Sequence, residues 1–428
     1  MDEKTEKETV SYLSNYLQID TTNHKGAENV AAKFLREILN KEGINTCEYY
    51  ETWTRPNLIA RIKGTGEKKP FMLLNHMDVV EADYEKAFSG EVKDGYVNGR
   101  GTLDMKGFGI MQLMTMLLVK RNNLPLKRDL MFLAVSDEES GGSKGMEYMV
   151  SKHFDEIEPE YALSEGSFGT KGIIGQDVVY SYAVVDKAPV WLKLKTKGQP
   201  GHGSMPIKDS AINQMIEALE KIRVYESKIR FTPETKEFFQ KLSKMQKFPK
   251  SYMLKNIHKQ PYLSLAKKQL TKERTLNAIL KDTISITSIK SGNKENVIPE
   301  VCEATLDCRL LPGKKVAEFI ENLKTIIGNS NVEYEILKGE ESASSKINTE
   351  FKNVLEEVLK KPLMPMVSPV ITDLRFLRKK GVTSYGITPI VLTKEDLETI
   401  HGKNEKISIK NLVEGTENTY EIIKKICT

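Results

Sequence analysis

The chain has 428 residues, 39% hydrophobic and 29% charged, with 64 Lys plus Arg against 59 Asp plus Glu, for a net charge of +5. That length exceeds one ordinary core and predicts two domains, while so mild a basic excess does not resemble a nucleic-acid footprint, which needs a concentrated basic stripe. No stretch reaches the ~18 apolar residues of a membrane helix, and the charged start has no apolar signal region. The four cysteines (Cys47, Cys302, Cys308, Cys427) are scattered without a CxxC pair, so a reduced cytoplasmic protein is expected.

Apolar residues spaced three to four apart predict helices over 8–20 and 27–41. Strands are expected at Leu58–Lys63 and Phe71–Asn75, then a charged, glycine-containing loop over 79–103. A helix over 105–120, a strand Asp129–Val135, a turn at Gly141-Gly142 and a helix over 144–153 continue an alternation that argues for an α/β domain around a buried sheet. Near residue 189 the pattern changes. Val190–Lys197 alternates apolar and polar residues, as a strand with one wet face does. A helix over 208–221, a lysine-rich stretch over 222–275 with aromatic punctuation, strands Thr283–Ile289 and Cys302–Leu310, and a helix over 315–327 suggest a strand–helix–strand–strand–helix–strand unit. From about residue 340 the α/β pattern returns with a helix over 350–360, Met364–Val370, a short helix closed by Gly381, strand Thr383–Ile387, a loop carrying His401 and a helix over 408–425. The plan is a larger domain, 1–188 and 341–428, into which a smaller one, 189–340, is inserted.

There are six histidines, and two stand near clustered acids. His76 follows the run Phe71-Met-Leu-Leu-Asn75 and precedes Met77-Asp78. In extended chain His76 and Asp78 point the same way, so Asp78 could hold the far ring nitrogen while the near one binds a cation. A satisfied histidine at a strand end is the alternative. Asp104 directly precedes an apolar helix and reads either as its N-cap or as a carboxylate bridging two cations. Gly107 and Gly109 sacrifice helix propensity there, which suggests close packing. Asp137-Glu138-Glu139 is self-repelling unless something positive compensates. One glutamate could ligate while its neighbour takes a proton from water, or the run could be a solvated acidic turn. Glu165 reads as a strand exit, and His401 lies in a loop before Gly402. If these strand ends converge on one sheet edge, two nitrogens and three carboxylates could hold two divalent ions ~3.5–4 Å apart. In the smaller domain, His202 between glycines, Asn296 and Arg309 look like substrate-carboxylate or oxyanion contacts. For Arg309 an ion pair with Asp307 is the alternative. Arg375 could supply one more anion contact.

The stretches Asn75-His-Met-Asp78, Gly101-Thr-Leu-Asp-Met-Lys-Gly107, Asp137-Glu-Glu-Ser-Gly-Gly142, Ser164-Glu-Gly166, Gly198–Pro206, Asn296-Val-Ile-Pro299, Asp307–Gly313, Thr372-Asp-Leu-Arg375 and His401-Gly-Lys-Asn-Glu405 run in order along the chain. With them the chain resembles the M20 family of metallopeptidases and amidohydrolases. The resemblance implies a zinc-peptidase-like three-layer α/β/α catalytic domain with an inserted α+β, ferredoxin-like lid. It implies that Asp104 bridges two divalent ions, zinc first, with cobalt or manganese accepted; His76 and Glu165 complete one, and Glu139 and His401 the other. Asp78 would orient His76, Glu138 would be the general base, and His202 would stabilise the oxyanion, in dimeric members by reaching into the partner's site. Asn296 and Arg309 would hold the substrate's carboxylate or backbone. The implied substrates are small peptides or N-acyl amino acids with a free carboxylate. Glutamate at 165 leans towards the N-acyl side, and the long 222–275 excursion resembles the larger lids of the carboxypeptidase S and N-acyl-amino-acid hydrolase branch. A homodimer through the lid is a further expectation, although that excursion counts against the standard lid-to-lid pairing. A narrow biosynthetic deacylase, acting on acetylornithine or succinyl-diaminopimelate, is the nearest alternative; a non-catalytic binding protein retaining the fold is the one of another class. No membrane partner and no nucleic-acid partner are expected, the lysine-rich 222–275 segment being read as a solvated helical face.

Overall fold

The structure, a computed structural model, describes residues 1–171, 177–329 and 331–428. It divides into two units: Met1–Val184 with Ser345–Met366 and Thr372–Thr428, and Val185–Ser344 with Val367–Ile371.

The first unit is built on an eight-stranded sheet in the order Thr46–Thr52, Arg55–Ile62, Leu130–Val135, Phe71–His76, Tyr161–Thr170, Thr383–Leu392, Val179–Asp186, Leu363–Ser368. Leu130–Val135, Phe71–His76, Tyr161–Thr170 and Thr383–Leu392 run parallel at its centre. Parallel strands covered on both faces must be apolar throughout, and every residue of Phe71–His76 and Leu130–Val135 is buried. Helix Lys106–Arg121 lies on one face, packed against Phe71–His76 and against helices Glu3–Leu17 and Ile409–Cys427. It is buried almost all round, which an amphipathic sequence could not tolerate. Its first turn is as tight as the two glycines suggest. A Cβ on Gly107 would stand 2.0 Å from the Thr102 carbonyl oxygen, and one on Gly109 would stand 3.2 Å from Asn75 Oδ1. On the other face, Met146 and Met149 from one helix and Leu374, Phe376 and Leu377 from another cover Met72, Leu74, Met131 and Leu133. The result is three layers.

The second unit carries a four-stranded antiparallel sheet in the order Thr283–Ser291, Val301–Leu310, Ala188–Lys197, Glu333–Gly339. Alternate residues Val190, Leu192, Leu194 and Ala304, Leu306, Cys308 face helices Ala211–Val224 and Val316–Ile327 in one core, as period-two strands require. Strand order and connectivity are ferredoxin-like. Helices Pro233–Lys244, Lys250–Lys255, Tyr262–Lys272 and Arg274–Leu280 interrupt this plan after its first helix.

Several boundaries differ from the sequence expectations. The first helix spans Glu3–Leu17, because the Asp2 side chain caps it by accepting the Thr5 N–H at 2.8 Å. Thr46–Thr52 is an edge strand with a mostly wet, charged sequence and gives no alternating signal. The expected loop over 79–103 contains two short strands, Val92–Lys93 and Tyr96–Asn98, which join Lys406–Ser408 in a separate small sheet. Tyr161–Thr170 runs straight through Glu165, so that residue lies inside a strand and not at its exit.

Candidate metal centre

His76 is the last residue of its strand, Glu138 and Glu139 open the turn after Leu130–Val135, and Glu165 lies in the next strand over. These three strands are parallel neighbours in a register that sets Leu73 beside Leu163 and His76 beside Val135, so His76, the Glu138–Glu139 turn and mid-strand Glu165 come to one sheet edge, the usual place for a site in an open α/β sheet. Asp104 arrives from the loop before helix Lys106–Arg121, and His401 from the loop before strand Lys406–Ser408.

The five side chains form two groups that share Asp104: His76, Asp104 and Glu165, and Asp104, Glu139 and His401. His76 Nε2 lies 3.2 Å from Asp104 Oδ1 and 3.5 Å from Glu165 Oε1. His401 Nε2 lies 2.8 Å from Asp104 Oδ2 and 3.6 Å from Glu139 Oε1. Each oxygen of Asp104 therefore serves one group. Bonds of ~2.0–2.1 Å at a tetrahedral centre put ligand atoms roughly 3.3 Å apart, close to these separations. Two imidazoles with three carboxylates is also a donor set that zinc, cobalt and manganese accept. Buried Glu139 Oε1 and Glu138 Oε1 have no hydrogen-bond partner, as expected of oxygens meant for a cation or a water. On these counts the residues fit a pair of divalent ions.

The electrostatics show what the acids do without such ions. Burial disfavours a charged His76, but its hydrogen bond to Asp104 and the nearby carboxylates of Asp78 and Glu165 outweigh it and lift the imidazole well above its ordinary range. A hydrogen bond to Asp104 and the nearby Glu139 carboxylate push His401 up to about 10. Burial opposes ionisation of Asp104, yet the two imidazoles hold it far below the usual carboxylate range. Burial and the charge of Asp104 push Glu165 up to about 8. Burial also drives Glu138 well upward, reinforced by the neighbouring carboxylates of Asp373, Glu165 and Glu139. The imidazoles thus stand in as the cations of an acid-rich pocket.

A second layer of contacts fixes the geometry. His76 Nδ1 lies 2.9 Å from the backbone carbonyl of Asp78 and 3.6 Å from its carboxylate. The closer orienting contact is thus with the main chain, and the carboxylate acts on the ring as a nearby charge. That carboxylate accepts the backbone N–H groups of Glu138 at 3.2 Å and Glu139 at 3.0 Å and the Asn23 amide at 2.6 Å, so Asp78 also positions the turn that carries both glutamates. Asp137, at φ +67, is held by Arg55 at 2.8 Å, by the Ser143 hydroxyl and by the Lys144 N–H. Glu405 is fully buried and accepts from Arg100 Nη1 at 2.7 Å and from the N–H groups of Gly101, Leu103 and Asp104 at 3.1, 2.8 and 3.2 Å. It ties the loop of Asp104 to the loop of His401. Asp373 is buried with neither oxygen hydrogen-bonded, and burial pushes it up to about 7. Nothing in the sequence pattern singles out Glu405 or Asp373, although they stand in the stretches His401–Glu405 and Thr372–Arg375. Arg375 is buried and donates to the Thr372 and Gly141 carbonyls at 2.9 and 2.6 Å, so it braces the glutamate turn.

In the second unit His202 and Asn296 come together. His202 pairs with Val297 in a two-stranded ribbon, and the Gly203 N–H donates to the Asn296 carbonyl at 2.8 Å. His202 is exposed, with Nδ1 2.7 Å from the Ser204 hydroxyl. Arg309 lies near the far end of Val301–Leu310 from that ribbon, roughly 30 Å away at ~3.3 Å per residue. The three therefore do not share one pocket within this unit. Arg309 makes the alternative contact weighed above, a two-pronged pair with Asp307 at 2.8 and 3.0 Å; its buried Nη1 has no hydrogen-bond partner.

Comparison with known proteins bears on this geometry. The model of peptidase family M20/M25/M40 matches residues 72–425. The N-fatty-acyl-amino acid synthase/hydrolase PM20D1 of Xenopus tropicalis is 30% identical over 95% of this chain and 83% of its own length. The probable carboxypeptidase S-like 2 of Dictyostelium discoideum is 27% identical over 86% of this chain and 74% of its own. Among solved structures, the M20 family metallo-carboxypeptidase Sso-CP2 from Sulfolobus solfataricus shares the fold with a TM-score of 0.75 at 18% identity, covering 99% of both chains.

Proposed function

This chain belongs to peptidase family M20/M25/M40, and from that premise we propose that it is a two-metal hydrolase that cleaves the amide bond of N-acyl amino acids, or the C-terminal peptide bond of small peptides, next to a free carboxylate. What supports this most directly is Asp104, which offers one oxygen to each of two three-residue groups, with the buried, unpartnered Glu138 Oε1 in the electrostatic reach of His76, Glu165 and Glu139. The N-acyl side is favoured by the hydrolase named for the Xenopus relative; the carboxypeptidase named for the Dictyostelium one keeps peptides within the class.

His76, Asp104 and Glu165 would hold one ion and Asp104, Glu139 and His401 the other. Bound there, the ions supply Lewis acidity to the substrate carbonyl and to a water molecule. Glu138 takes a proton from the attacking water and delivers it to the amide nitrogen as the C–N bond breaks, leaving a carboxylic acid and an amine. Asp78 keeps the Glu138–Glu139 turn in register. The Arg309 Nη1 group would bind the substrate carboxylate, while His202 and Asn296, on the ribbon at the other end of that strand, would reach the developing oxyanion from a second copy of the chain.

The test is release of free amine by metal-loaded protein from N-acetyl and N-long-chain-acyl amino acids, dipeptides of varied C-terminal residue, and N-succinyl-diaminopimelate. Turnover of N-acyl amino acids or dipeptides is expected, with little on substrates amidated at the carboxylate. Equal turnover of amidated substrates removes the carboxylate requirement. Turnover of the succinyl substrate alone makes the chain a narrow deacylase.

A further inference from the structure

The +5 of this chain is not evenly spread. Between Lys244 and Lys272 there are eight lysines, no arginine and no acidic residue, so the remainder of the chain sums to −3. All eight (Lys244, Lys247, Lys250, Lys255, Lys259, Lys267, Lys268, Lys272) are exposed. Among the described residues none has an ion-pair partner, whereas Lys241, just before them, pairs with Glu237 at 3.3 Å. Interleaved with them are large apolar side chains that face solvent: Phe248 at 82% exposure, Leu265 at 70%, Tyr252 at 52% and Met253 at 38%. Tyr252 and Leu265 are linked through Tyr262. The rings of Tyr252 and Tyr262 lie 5.8 Å apart and join helix Lys250–Lys255 to helix Tyr262–Lys272; Leu265 follows Tyr262 by three residues on the same helical face. Nor are they leftovers of a missing core, because Phe238, Phe239, Leu242, Ile257 and Leu270 are buried in the same excursion.

Exposed apolar side chains among unpaired lysines fit a surface that is apolar within and anionic at its rim. We infer that the Lys244–Lys272 excursion is a docking face for an anionic lipid bilayer, with Phe248, Tyr252, Met253 and Leu265 entering the acyl boundary and the lysines meeting the headgroups. The helices of 6 and 11 residues are far short of the ~20 needed to span, so the face lies on the bilayer. A nucleic acid fits less well: phosphate recognition favours arginine forks, absent here, and gives Leu265 and Met253 nothing to contact. The expectation of no membrane partner is thereby narrowed to the absence of a spanning helix among the described residues.

The test is flotation of the full chain with phosphatidylcholine vesicles, with and without about 30 mol% phosphatidylglycerol. Binding is expected on the anionic vesicles alone and should weaken with added salt. Lys247→Ser, Lys250→Ser and Lys255→Ser combined should weaken it on the order of a hundredfold, at about fivefold per lysine, while the same three positions changed to Arg should retain it. Phe248→Ser with Leu265→Ser should weaken it at least tenfold on the same vesicles. All these side chains are exposed, so melting temperature and hydrolysis of a water-soluble substrate should not change, which separates lost docking from lost fold. Absence of vesicle binding overturns the proposal. So does binding indifferent to the Phe248 and Leu265 changes, and so does a single-stranded oligonucleotide bound in preference to vesicles.

Discussion

Glu138 is buried with Oε1 unpartnered, and its carboxyl is raised by burial and by three neighbouring acids. A base in that state is poised to take a proton, and replacing one oxygen with an amide removes that ability while keeping the side chain's shape. Glu138→Gln should lower kcat by about 10²- to 10⁴-fold with two metal equivalents still bound, measured by metal analysis on the same sample. Loss of one equivalent would make Glu138 a ligand and sink its role as base. The residues of this centre were readable because each is a lone histidine or an acid set against an apolar run or a turn glycine. Partnership was not readable. Nothing local announces that the Asp78 carboxylate holds the N–H groups of Glu138 and Glu139. Nor does spacing reveal that Arg309 and the His202 ribbon lie near opposite ends of one strand.

At the scale of elements, two loops some 300 residues apart in sequence meet through one carboxylate. Glu405 accepts from Arg100 and three consecutive-loop N–H groups, and its removal would leave the Arg100 guanidinium buried without its counter-charge. Glu405→Ala should cost about 3–5 kcal/mol of stability and loosen metal about 10- to 100-fold, read by thermal melting and chelator competition. Glu405→Gln, which can still accept hydrogen bonds, should fall between. Unchanged metal affinity in the alanine variant would reduce Glu405 to a purely structural tie. The helix that follows Asp104 offers a sharper test of packing against propensity. Glycine-to-alanine in a helix normally gains up to ~1 kcal/mol. At Gly107 the new methyl would meet the Thr102 carbonyl oxygen, so Gly107→Ala should instead destabilise by about 1–3 kcal/mol and disturb the Asp104 loop, seen as a lower Tm with weaker metal retention. A raised Tm would show that the loop gives way freely. Central parallel strands were legible because burial on both faces forces unbroken apolar runs. The edge strand Thr46–Thr52 and the two short strands near residue 95 were not, because their pairing is decided by partners distant in sequence.

On the scale of the whole molecule, the acid-rich centre links folding, protons and metal. Without ions, His401 has a proton affinity raised from 6.5 to about 10, and Glu165 one raised from 4.5 to about 8. These two groups therefore bind more protons in the folded state than in the unfolded chain across this range. For His401 the resulting stabilisation is complete below pH ~6.5 and is lost as pH rises towards about 10. For Glu165 the proton held in the fold is likewise lost as pH rises to about 8, and stability falls with it. Metal acts in the opposite direction. Its ligands must be neutral imidazoles and ionised carboxylates, so binding releases protons and tightens as pH rises, and at a free concentration of 100 Kd it adds about 2.7 kcal/mol. The difference in Tm between metal-loaded and chelator-treated protein should accordingly widen from about pH 6 to about pH 8.5, with proton release on titration confirmed by binding enthalpies that depend on the buffer. A difference that stays flat or narrows would mean that His76 and His401 already stand neutral in the metal-free fold, and that the carboxylates are compensated by something other than these two rings.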